Sequence, residues 1–335
     1  MRGACELGAD MNRWFAAAAL SALMGVGLLF ATPLSAQEYP AKPVRIITAG
    51  AGTFHDVTAR QLAQRLSERW RQGVVVENQP AAGLTIGTSI AAKASPDGYT
   101  LLLADRTSLA VAPHLYRNLR YDPARDLRPI TLVARAPSVL VIHASVPASN
   151  VHEFIAYIGR QSEPVLYASA GLGTLGHLTG ELFKLLAGVD FQTIQYKGGA
   201  DAAVAVLKGE AKFSSLTVNV ALPQVEAGTV KALAVASARR FAGMPDVPTG
   251  SEAGLPGFES EQWVALVAPA GLPDAIAEKL NHDIVAILQD PAFADGLRRQ
   301  GAEVAPSSPA ELASFIASES ARLKQLIEKT SLRVD

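Results

Sequence analysis

The sequence predicts an α/β protein of two lobes, and three observations predict it. Short apolar strands alternate with amphipathic helices at near-regular intervals from Val44 onward. Those strands, VRIIT at 44–48 and YTLLLA at 99–104 among them, are continuous apolar runs rather than strict alternations, as in a parallel sheet covered on both faces. The chain has 335 residues, 49% of them hydrophobic, which is more than one small core requires.

The elements follow in order. After the strand Val44–Thr48, the loop AGAGTFHD leads into a helix over 54–71, with Val57, Leu62 and Leu66 on its apolar face. Thr53 followed three residues later by Asp56 has the form of a capping box, so Asp56 reads as a helix-start residue before it reads as a base. A strand at 74–77, a turn at 78–84, a helix at 85–94 stopped by SPDG, and the strand 99–104 complete a βαβαβ unit. A short helical piece ends at Tyr116, and strands at 127–133 and 139–143 carry the chain to the second lobe. There, helices at 150–160, 175–187, 199–208 and 219–227 alternate with strands at 165–168, 191–195, 213–217 and 230–236. A Gly-, Pro- and Ala-rich stretch at 237–258, a strand at 264–267 and helices near 273–289, 291–299 and 309–328 then return to the first lobe. The expected division is lobe 1 at 37–138 plus 259–335 and lobe 2 at 139–258, with hinge crossings near 133–144 and 233–263.

Composition excludes several functions. The formal charge is −1 with no basic field, which argues against a nucleic-acid partner. Cys5 is the sole cysteine, so the body of the chain has no thiolate nucleophile, disulfide or cysteine zinc site. The six histidines, 55, 114, 143, 152, 177 and 282, form no metal-spaced pair, and neither a Gly-x-Ser-x-Gly elbow nor a phosphate-binding glycine pattern occurs. The reading is a binding protein, not an enzyme, with no cofactor and no metal. Arg13, the apolar run 14–30 and ATPLSAQE have the three zones of an export signal cut after Ala36, and the alternative, a membrane anchor, is disfavoured because the run is shorter than the roughly 20 residues a span takes. A start at Met11 would give that signal a cleaner positive end.

The chemistry is expected in loops that precede helices. The stretch 165–188, VLYASAGLGTLGHLTGELFKLLAG, reads as strand, small-residue loop and helix. Three such loops stand out: Gly50, Gly52 and Thr53; Ser169, Gly171, Gly173 and Thr174; Gly198 and Gly199. A helix start leaves backbone N–H groups unpaired at the positive end of its dipole, which is a seat for an anion. In parallel sheets these starts face the crevice beyond the carboxyl ends of the strands. His177, in a first turn, is expected neutral, as a ligand contact or a packing residue. Asn219 caps its helix or meets the ligand. Tyr167 and Tyr196 reach the ligand or brace the loops, and Phe54 and Trp263 line the cleft or pack beside it.

Many ordered segments, among them YPAKPVRII, VVVENQPAAG, ASPDGYTLLL, APHLYRNLRYDP, the run from YASAGLGTLGHLTGELF to YKGG, and MPDVPTGSEAGLPGFE, make the chain resemble the tripartite tricarboxylate transporter receptors, the Bug-type extracytoplasmic solute receptors. The resemblance runs from Tyr39 to near the C-terminus. It implies a type II-like, two-lobed periplasmic binding protein, a Venus flytrap, that holds a small organic acid and presents it to membrane permease subunits or to a sensor protein. Carried over, it places Ala51, Gly52, Thr53 and Asp56 in one jaw with Thr107 and Ser108 beside them. Ser169, Gly171, Thr174, His177, Tyr196, Gly198 and Gly199 form the other. The chain departs from the family where a loop glycine is replaced by Thr53, where Gln79 stands for arginine, and where SLTVN at 215–219 lacks an acidic group.

Overall fold

The computed structural model describes residues 39–79, 82–330 and 332, and every strand and helix in it falls within one compact unit, Lys42–Asp335. The export signal and the alternative start at Met11 lie outside the described residues.

The first half begins with β1 (Val44–Thr48), α1 (Phe54–Trp70), β2 (Val74–Asn78), α2 (Thr85–Ala92) and β3 (Thr100–Asp105). β1 lies between β2 and β3 and is parallel to both, as apolar strands linked by crossover helices require. A π-helical turn (Thr107–Val111), α3 (Ala112–Leu115) and α4 (Pro123–Asp126) then lead to β4 (Leu127–His143). β4 is one strand of 17 residues where the sequence predicts two. The expected break, ARAPS at 134–138, is bridged because β4 changes partners there. Pro137 is the last residue opposite β9 (Glu261–Pro269), and Ser138 is the first opposite β7 (Phe213–Thr217). A proline with no N–H is tolerated at the end of one ladder.

The second half alternates α5 (Val151–Gly159), β5 (Leu166–Ser169), α6 (Leu175–Ala187), β6 (Gln192–Gln195), α7 (Gly199–Leu207), β7, α8 (Val218–Glu226) and β8 (Val230–Val235). β5 is parallel to β6 and β7. The hydrogen-bonded path runs β2-β1-β3-β9-β4-β7-β5-β6, with β8 and the short β10 (Glu303–Val304) also on β4. Both sheets are mixed: their βα-connected strands run parallel, and the long strands β4 and β9 run against them.

Apolar packing is continuous across the two halves, with Ile47 and Leu102 in the same buried cluster as Phe154 and Phe213. Ile46, Leu62, Leu66 and Leu101 are fully buried around β1. In the second half Phe213 is the hub of an aromatic cluster, with ring centroids 4.8 Å from Tyr167 and Phe191 and 5.0 Å from Phe154. The C-terminal helices α9 (Asp274–Leu288), α10 (Pro291–Arg298) and α11 (Pro309–Thr330) return to the first half. α9 packs on α1 and β4, and α11 packs on the π-helical turn and β4. Asp283 of α9, 3% exposed, accepts from Arg69 Nε and Trp70 Nε1 at 2.7 Å and from Lys279 at 3.0 Å. These bonds fasten α9 to the end of α1.

Candidate functional site

Four of the parallel strands, β1, β5, β6 and β7, each run directly into a loop and a helix start, and all four starts meet at one cavity of about 570 Å³. Thr53, Phe54 and His55 come from the start of α1, and Thr174, Leu175 and Gly176 from α6. Gly199 comes from α7, and Asn219 and Val220 come from α8. Gly83, Thr107 and Tyr116 add further wall, and Gln262 and Gln300 arrive from the returning C-terminal part. No Lys or Arg is among the described lining residues. First-turn N–H groups and four dipole ends therefore supply most of the positive potential in this cavity.

The predicted site residues divide into two groups. Thr53, Thr107, Thr174, Gly199 and Asn219 line the cavity. Ala51, Gly52, Asp56, Ser108, Ser169, Gly171, His177, Tyr196 and Gly198 are not among its lining residues. Asp56, 4% exposed, accepts from Gly52 N at 2.9 Å and Asn78 Nδ2 at 2.7 Å and pairs with Arg60 at 2.9 Å. Burial alone would raise its carboxyl; the bonds from Arg60, Asn78 and Gly52 outweigh that and hold it below its ordinary value. Gly52 itself adopts φ +76°, where a side chain is strained. Ala51 is exposed beside it. Ser108, fully buried, donates from its N–H to Asp105 Oδ1 at 2.8 Å.

On the opposite wall Thr174 is the N-cap of α6; its hydroxyl accepts from His177 N at 3.3 Å and donates to Gly171 O at 2.7 Å. Thr53 does the same at α1, accepting from Asp56 N and donating to Gly50 O at 2.7 Å. Both hydroxyl protons are thus directed back into their own loops. His177 is a loop brace: its Nδ1 accepts from Gly173 N at 3.1 Å, and burial, with the Lys184 charge nearby, keeps the imidazole below its ordinary value and neutral. Tyr167 is also a brace, fully buried with its hydroxyl donating to Gly176 O. Tyr196 N donates to Ser169 O at 2.8 Å, and Gly198 is the extended N-cap of α7. Asn219 does not cap its helix: Thr217 holds that position, and Asn219 lies exposed in the first turn. Trp263 is fully buried against Phe315, whereas Phe54 faces the cavity.

Sequence reasoning missed the polar cluster on the first wall. His55 Nε2 lies 3.1 Å from Asp105 Oδ2, and Gln262 Nε2 lies 3.3 Å from the same oxygen. Asp105 is nearly out of water; burial pushes its carboxyl up, but the bonds from His55 and Ser108 prevail and hold it below its ordinary value. An ionised Asp105 fixes the tautomer, because His55 Nε2 must then carry the proton it donates. Gln262 Nε2 also sits 3.1 Å from His55 Nε2, a contact that follows from both groups donating to one oxygen. Among the described residues no group of three His, Cys, Asp or Glu side chains is placed to hold a metal.

Residues 58–332 match the model of the tripartite tricarboxylate transporter family receptor. This chain belongs to that receptor family. Protein BugT of Bordetella pertussis is 34% identical over 316 residues, covering 92% of the receptor and 97% of BugT. Among solved structures, R. palustris Rpa4515 with adipate superposes at a TM-score of 0.77 with 31% identity, covering 89% of the receptor and all of that chain. MatC from Rhodopseudomonas palustris with bound malate superposes at 0.72 with 29% identity, covering 86% of the receptor and all of MatC. The receptor thus has the two-lobed α/β fold of periplasmic solute-binding proteins, and its family and fold are those of receptors rather than catalysts.

Proposed function

We propose that the receptor captures a small organic acid in the cleft, holds a carboxylate on main-chain N–H groups at the helix starts, and delivers it in the periplasm to membrane permease subunits. The observation that carries this reading is the convergence of four helix starts on a cavity with no Lys or Arg among its described lining residues. An anion there is stabilised by fixed dipoles, which act more strongly once water is excluded. The volume, about 570 Å³, lies in the range of small-molecule sites, roughly 300–1,000 Å³. The relatives solved with adipate and malate support a dicarboxylate as the ligand class.

The N–H groups of Leu175, Gly176 and Gly199 form one jaw in this reading, and those of Phe54 and His55 the other, with Thr107 and Asn219 beside them. The lobes, 37–138 with 259–335 and 139–258, close about β4 and the return into β9. Calorimetry of the purified receptor against succinate, malate, glutarate and adipate, with the matching diamides as uncharged controls, tests the proposal. Binding of an acid but not its diamide, with a smaller radius of gyration in solution scattering, is the expected outcome. Equal binding of acid and diamide, or no binding of any of the four acids, would refute it.

A further inference from the structure

His55 is the sole lining residue among those described that can become a cation, and its ring is already half engaged. With Nε2 donating to Asp105, Nδ1 is the ring nitrogen with no partner among the described residues, on a side chain that lines the cavity. We propose that His55 takes up a proton as a carboxylate enters the cleft, so that Nδ1–H donates to the ligand while Nε2–H continues to donate to Asp105. His55 is then the residue that selects for a second carboxylate on the ligand, at the wall facing the helix starts of α6, α7 and α8. This rests on the carboxylate reading above and assigns the site a proton-linked affinity.

The chemistry requires the proton. An ionised Asp105 on the wall repels an arriving carboxylate, since unlike the loop dipoles it is a full negative charge. A neutral imidazole in the tautomer that Asp105 imposes offers a lone pair at Nδ1, which repels a carboxylate as well. One proton on Nδ1 reverses both effects: it turns the acceptor into a donor and places a positive charge between two negative ones. The surroundings leave this role to His55. On α1 the neighbouring Asp56 is fully engaged with Arg60, Asn78 and Gly52. From the end of β3 comes Asp105, followed by Arg106, which is 2% exposed and 3.9 Å from Glu319 of α11. From β9 comes the uncharged Gln262. Tyr116 is the other titratable group on the lining.

The experiment is calorimetry with succinate and with adipate at pH 7 in phosphate and in Tris, whose different ionisation heats report protons exchanged on binding. Wild-type protein is expected to take up a fraction of one proton, and its affinity to rise as the pH falls from 8 to 6, by at most about tenfold per unit. The sign follows from linkage: the bound state holds the proton more tightly, so low pH favours binding. His55→Gln keeps a donor to Asp105 and should bind with no uptake and a flat pH profile. Selective ¹⁵N labelling of histidine in the wild-type protein should show both His55 ring nitrogens protonated in the complex, without recourse to any variant. Binding of either acid with identical heats in both buffers would overturn the proton linkage and leave the carboxylate reading standing. Uptake that persists in His55→Gln would place the proton elsewhere and overturn the assignment. No binding of either acid would defeat the ligand class, and this inference with it.

Discussion

Thr174→Val separates two roles that a threonine at the edge of the cavity can play. The substitution keeps the shape and removes the hydroxyl, which accepts from His177 N at 3.3 Å and donates to Gly171 O at 2.7 Å. Loss of an N-cap costs about 1 kcal/mol and up to roughly 2 kcal/mol. Gly171 O keeps the backbone donor Thr174 N at 3.3 Å, so its orphaning adds little. The expected loss is therefore about 1–2 kcal/mol of stability, read as a shift in the urea midpoint, with Thr174→Ser close to wild type. The N–H groups of Leu175 and Gly176 are untouched, so affinity for the bound acid should change by less than about threefold, well under the 1.5–3 kcal/mol of a lost hydrogen bond to a charge. A variant that unfolds like wild type yet binds more than tenfold more weakly would show that the hydroxyl meets the ligand directly, and the reasoning from the loop geometry would fail.

Two further outcomes follow from geometry outside the helix caps. Asp283, held at about 2 by bonds from Trp70, Lys279 and Arg69 that outweigh its burial, contributes about 2 kcal/mol that is present above its ordinary 3.8 and lost as pH falls toward 2. Asp283→Asn should lower stability at pH 7, with the gap to wild type narrowing from about pH 4 down through pH 2; a gap that stays constant across that window in urea unfolding would contradict it. Gly301, at φ +74°, would bring a Cβ within 2.6 Å of Asn219 N at the start of α8, whereas Gly228, at φ +68°, faces open space. Gly228→Ala should cost only the left-handed strain, roughly 1–2 kcal/mol, while Gly301→Ala should cost more and weaken ligand binding. Equal melting temperatures and equal affinities for the two variants would show that the clash is relieved without moving α8.

Much of the fold was legible because its signals are local. Apolar runs marked β1, β3 and β5, and Thr53, Thr174 and Gly199 were marked by the chemistry of the loops and caps they occupy. The polar cluster beside Thr53 was not legible. His55 lay within the first loop but looked like one of six unpaired histidines, Asp105 looked like the end of a strand, and Gln262 belonged to no motif. Their meeting depends on β9 returning antiparallel to β3, with Asp105 opposite Val264, so that Gln262 falls two residues further along the same strand. A pairing across 157 residues leaves no periodic trace in the chain. The continuity of β4 was hidden for the opposite reason: a local breaker, Pro137, sits where the ladder changes hands and breaks nothing.

That long shared strand also fixes the order in which the chain can be finished. β3 has only β1 beside it, and the first part of β4 has no partner, until residues 261–269 arrive between them, and β4's second part waits for 213–217 and 230–235. During synthesis, roughly the first 260 residues carry bare strand edges and half-covered cores, a slow and adhesive situation for a nascent polypeptide. Neither sheet can be completed until most of the chain is available.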